Sequence, residues 1–181
     1  MSTGPIVVGI DGTAAGERAL RWAVDEAVRR QVPLHVVNAY SYEPLADWAM
    51  TSEQEARARS EALVDDALRA VAAEGRELPQ VVRLCVRGLA ARVLEEQARD
   101  AAMLVVASHS GSRLRQVVLG STSSHCVRHA TVPVVVLPPG DARHDPTAAG
   151  VAREPAQGSA QDSAQDSAQE SAQESAREAG R

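Results

Sequence analysis

Along the chain, short Val-rich runs alternate with longer stretches whose apolar residues recur every three or four positions. Pro5 to Ile10 (PIVVGI) is a continuous apolar run of strand length, the pattern of a strand covered on both faces. Leu20, Ala23, Val24, Ala27 and Val28 then mark one side of a helix whose other side carries Arg and acids. Pro33 to Ala39 (PLHVVNA) predicts a second strand. Thr51 or Ser52 can open the next helix, each having Gln or Glu three residues on; Val64, Ala67, Leu68 and Val71 form its stripe and Gly75 suits its end. Val81 to Val86, a short helix around Ala90 to Ala98, Met103 to Ala107, a polar loop with its helix, and Val132 to Leu137 complete five strands and four helices.

Alternating strands and helices with buried strands predict an α/β fold, a doubly wound parallel sheet of order 3-2-1-4-5 joined by right-handed crossovers. Such sheets bind ligands at the carboxyl ends of the strands where the winding reverses. In that order the reversal falls between the strands ending at Ile10 and Ala107, so Asp11 to Thr13 and the loop after Ala107 face one crevice.

The pattern stops after Leu137. The closing stretch repeats SAQD or SAQE every four residues, which drifts around a 3.6-residue helix and offers no stripe to pack. Residues 1–140 are therefore read as one domain and 141–181 as a solvated, disordered acidic tail. Apolar residues make up 44% of the chain, but no run approaches the roughly 20 needed to span a membrane. MSTGPIVVGIDG lacks the pattern of a secretory signal, so a cytoplasmic protein with no membrane partner is expected. Cys85 and Cys126 fit reduced thiols better than a disulfide or a metal site.

Charge narrows the classes further. All 19 basic residues are Arg. Without Lys there is neither a Walker-type phosphate loop nor Schiff-base chemistry. The net charge of -5 resides mostly in the tail, which holds eight acids against four Arg. A near-neutral body with no Arg stripe argues against nucleic acid.

Val105 to Cys126, VVASHSGSRLRQVVLGSTSSHC, reads as strand, polar loop and helix start. Unpaired amides and the helix dipole at such a turn suit an anion. Taken together, IVVGIDGTAAGERALRWAVDEA, LHVVNA and VLGSTSSHCVRHATVPVVVL resemble the universal stress protein family over residues 5 to 138. The resemblance implies an adenine nucleotide alpha hydrolase-like fold, with ATP and magnesium as the cofactor of nucleotide-binding members. Those members carry glycine, two residues, glycine, nine residues, then glycine with Ser or Thr. Here Gly120 and Ser121 match the end, while Ala107 and Ser110 replace the first two glycines and Gly111 adjoins the second. Asp11 matches the acidic residue beside the nucleotide, and Gly9, Ala39 and Val106 match positions near the base. Thr122 and Ser123 continue the helix start, although any helix start would choose such residues, and Asp11 could equally cap the helix that follows it.

The remaining polar clusters carry less. Ser108, His109 and Ser110 lack the flanking glycines of a nucleophile turn. His125 and His129 stand four apart with no third metal ligand, so neither catalytic nor metal residues are assigned. Tyr40, Tyr42 and Trp48 follow the second strand, where they could stack on a base or simply pack the loop. The apolar run Val132 to Leu137 falls at a sheet edge, where the resemblance implies a homodimer. Two functions follow: a stress or signalling protein in which bound nucleotide shifts conformation or partner surface with at most slow hydrolysis, or a member without nucleotide that acts through protein contacts. Ala107 and Ser110 favour the second; Asp11, Gly120 and Ser121 favour the first.

Overall fold

In a computed structural model, which describes residues 4–42, 52–108 and 119–138, strands and helices alternate along the chain. They are β1 (Ile6–Gly9), α1 (Ala14–Arg30), β2 (Leu34–Tyr40), α2 (Glu53–Ala73), β3 (Val81–Arg87), α3 (Ala90–Gln97), β4 (Met103–Ala107), α4 (Ser121–His129) and β5 (Val134–Leu137). The strands form one parallel sheet in the order β3-β2-β1-β4-β5, as the alternation predicts. β1 and β5 are shorter than their apolar runs, since Pro5 and Pro133 have no N–H for the ladder. The Pro133 carbonyl still accepts from Leu104 N, and Ile10 N still donates to Val37 O.

Each central strand divides its side chains between two cores. Ile6, Val8, Leu34, Val36 and Val105 face one way, with Leu20 and Val24 of α1 and Val64 and Leu68 of α2. Val7, Val37, Leu104 and Val106 face the other, with Val93 and Leu94 of α3 and Cys126 of α4. This is the two-residue period of a strand applied between two helical layers, which is why β1 and β4 read as unbroken apolar runs. Both thiols are free. Burial pushes the Cys126 thiol above its ordinary value, the reverse of an activated cysteine.

The helix ends follow local chemistry. Thr13 caps α1, its side chain accepting from Gly16 N, and Ser52, one of the two residues expected to do so, caps α2 by accepting from Glu55 N. Gln31 ends α1 in the left-handed region at φ 57°, its N–H shared between the carbonyls of Ala27 and Val28. A residue with a side chain is disfavoured in that conformation, which glycine adopts freely. Gln31→Gly is expected to raise stability by about 0.5–1 kcal/mol, read as a higher urea midpoint at unchanged slope. An unchanged or lower midpoint would show that the Gln side chain offsets the backbone cost.

Candidate functional site

β1 pairs with both β2 and β4, α1 packs on one face of the sheet and α4 on the other, and a crevice opens at the carboxyl end of the strands. A cavity of about 350 Å³ lies there. Gly9, Ile10 and Asp11 at the end of β1 form one side, with Val37 and Ala39 of β2 and Val106 and Ala107 of β4 beside them. Ala90 and Leu94 of α3 close the apolar wall, Gly16 comes from α1, and Gly120, Ser121, Thr122 and Ser123 bring the start of α4. Nine residues singled out from sequence therefore meet in one cavity. The other two, Ser110 and Gly111, lie outside the described residues, as do His109, Trp48 and the 141–181 tail.

Two glycines are set by close approach. A Cβ on Gly9 would stand 2.8 Å from Leu94 Cδ1, and one on Gly16 would stand 2.8 Å from Asp11 Oδ1. Each hydrogen side chain leaves the space that its neighbour fills at the cavity wall. Asp11 is not the cap of α1, a role held by Thr13. Instead Asp11 Oδ1 accepts from Thr13 N at 3.1 Å and from Thr13 Oγ1 at 2.6 Å, which fixes its carboxylate beside the cavity.

At the opposite end, α4 begins at Gly120 without a side-chain cap. Ser124 N donates to Gly120 O at 2.9 Å, so the preceding amides of Ser121, Thr122 and Ser123 have no acceptor inside the helix. Together with the helix dipole they make the positive end of the cavity. Gly120 has φ -62°, a conformation open to any residue, so its backbone does not require glycine. The Ser123 hydroxyl, part of the helix start singled out from sequence, donates to Ala107 O at 2.8 Å and braces α4 against β4. Ala107 is not among the positive-φ residues, so the backbone at this substituted position does not require glycine. Ser108 is likewise committed, its hydroxyl donating to Leu137 O at 3.1 Å.

The sequence reading missed Ile10, Gly16, Val37, Ala90 and Leu94. Three carried a usable signal. Gly16 is a glycine inside a helix where Ala costs less, and Ala90 and Leu94 stand one turn apart on α3. Tyr40 lies outside this cavity and lines a separate open groove with Glu53 and Arg57, while Tyr42 lies 6.0 Å beneath the Arg87 guanidinium. Among the described residues no group of three or more His, Cys, Asp or Glu could hold a metal, and no helix is long and apolar enough to cross a membrane. His125 Nε2 meets Glu95 Oε2 at 2.8 Å, bridging the two helices that flank the cavity.

The model of the Universal stress protein family matches residues 3–138. Universal stress protein Rv2623 of Mycobacterium tuberculosis is 34% identical over 141 residues, covering 73% of this chain and 46% of that protein. The chain spans about half the length of the curated relatives it matches. The universal stress protein from Archaeoglobus fulgidus in complex with dAMP is similar in fold, with a TM-score of 0.57 and 23% identity over 75% of this chain and 98% of that one. An Arabidopsis thaliana family protein with AMP bound gives 0.52 and 17%, covering 81% and 99%.

The bridge between α3 and α4 has a pH signature. The His125 hydrogen bond, then the Arg92 charge, hold Glu95 below its ordinary value of 4.5. A carboxyl lowered by folding contributes stability above its ordinary value and loses it as pH falls through the lowered one. Glu95→Gln is thus expected to be less stable than the wild type at pH 6 and to converge with it in acid, as measured by thermal unfolding across pH 2–6. A difference that persists at the acid end would remove Glu95 as its source.

Proposed function

The chain belongs to the universal stress protein family, and from that membership we propose that it binds an adenine nucleotide at the switch point between β1 and β4 and acts as a ligand-responsive stress or signalling protein. One observation carries this reading: a single cavity joins an apolar wall, a fixed carboxylate and a helix start with outward amides. Val37, Ala39, Ala90, Leu94 and Val106 suit a flat base, and no aromatic side chain stands among them. The first-turn amides of α4 suit phosphate oxygens. Asp11, an acceptor lining the same cavity, would meet a donor such as a ribose hydroxyl and would repel a phosphate placed beside it. The volume of about 350 Å³ falls within the range of roughly 300–1,000 Å³ usual for small-molecule pockets. The dAMP and AMP complexes of similarly folded proteins support the same ligand class.

The Ala107 backbone needs no glycine, so that substitution counts only through the methyl it adds at the cavity wall, while Ser110, outside the described residues, still favours the member without nucleotide. ATP would bring its own magnesium. With no Lys anywhere in the chain to clamp terminal phosphates, the expected output is a change of conformation or partner surface, with hydrolysis slow at most. The tail at 141–181, beyond the family match, is read as an extension of the domain at 1–140. The test begins by denaturing the purified protein and analysing the supernatant for carried-over nucleotide, then titrates AMP and magnesium-ATP calorimetrically. Saturable binding is expected, weakened at least about tenfold, or 1.4 kcal/mol, in Asp11→Asn and Gly120→Val. No binding and no carried-over nucleotide would favour the family member that works through protein contacts alone.

The partner surface in this reading is the β5 edge. Leu104 N donates to Pro133 O and Ser108 N donates to Leu137 O. In a parallel ladder the odd-numbered residues of β5 therefore face β4, and Val134 and Val136 turn their backbone groups outward. A second copy pairing there would form a homodimer across an apolar edge. Val136→Pro removes an outward N–H and spares the pairing with β4, so light scattering should show a wild-type dimer and a folded monomeric variant. A dimer in both would place the interface elsewhere.

A further inference from the structure

Asn38 and Ser60 form a buried polar pair that the nucleotide cavity does not touch. Asn38 in β2 is 7% exposed and Ser60 in α2 is 4% exposed. The Ser60 hydroxyl donates to Asn38 Oδ1 at 2.6 Å, and Asn38 Nδ2 donates to the Ile10 carbonyl at 2.8 Å. The position of that carbonyl matters. The β1–β2 register ends at Gly9 opposite Val37, so past this point a side-chain amide takes over from the backbone ladder. The next residue is Asp11, whose carboxylate lines the cavity.

Helix α2 touches the same turn a second time. Gly12 adopts φ 78°, and a Cβ there would stand 3.0 Å from Leu63 Cδ1. Ser60 and Leu63 are three residues apart and share one face of α2. The helix supplies no described residue to the cavity, yet it holds Ile10 through Asn38 and packs against Gly12, so it grips both sides of Asp11. We infer that Asn38 and Ser60 are positioning residues that fix the β1 end for the ligand and couple α2 to occupancy of the cavity. The ligand half of this inference rests on the adenine-nucleotide reading.

Removing the Ser60 hydroxyl leaves a buried acceptor unpaired and frees the amide that holds Ile10. Val71, buried near the far end of α2, is the control, because Val71→Ala loosens the core about three turns away from the pair. In the full-length protein, Ser60→Ala should weaken AMP binding about 3- to 10-fold. It should also speed amide exchange at Ile10 and Thr13 relative to β5, whereas Val71→Ala should lower Tm and leave both readouts near wild type. Wild-type affinity and exchange in Ser60→Ala, or an equal loss in Val71→Ala, would overturn the inference. If the wild type binds no AMP, the nucleotide reading fails by itself, and exchange in the free protein still decides whether the pair holds the turn.

Discussion

Everything in this fold depends on β1 being hydrogen-bonded on both edges and covered on both faces. With β2 on one side and β4 on the other, no backbone group of its core is left to water, and Ile6, Val7 and Val8 must all be apolar because each meets a helical layer. The same placement decides where a ligand can go. The helix after β1 packs on one face and the helix after β4 on the other, and ligands favour the carboxyl ends of strands at such a switch point.

Into that gap the structure places groups of opposite character. The start of α4 offers amides to an anion, the end of β1 offers a carboxylate to a donor, and apolar residues of β2, β4 and α3 line the rest. Placement is enforced by contacts that do not face the cavity. Thr13 holds the Asp11 carboxylate, Ser123 holds α4 to the Ala107 carbonyl, and Asn38 holds Ile10. Ser123, which from sequence counts among the ligand contacts, thus serves as a brace. Preorganisation of this kind lowers the ordering cost that a ligand would otherwise meet on binding.

Much of the fold was legible because buried strands and amphipathic helices leave different periods in a chain. Val81 to Val86 and Met103 to Ala107 were located to within a residue, and the order of strands followed from alternation together with the rules of winding. The cavity was legible where a motif marked it, as at Asp11 and Gly120. It was not legible at Val37 and Ile10, since an apolar residue at a strand end has the same appearance whether it faces a core or a crevice. Nor did spacing distinguish Asp11 from Thr13 as the cap of α1, because both residue types suit that position.

The sequence by itself determined the architecture, the family, and the absence of a Lys-dependent phosphate site, since each of these depends on residue type and period along the chain. Tertiary structure decided which polar side chain faces the cavity and which is committed elsewhere. Ser123 and Ala107 are 16 residues apart and Asn38 and Ile10 are 28 apart, yet each pair is joined by a hydrogen bond. Hydroxyl and amide groups bond to whatever the fold brings within about 3 Å, and residues so far apart in the chain meet only once the sheet is assembled.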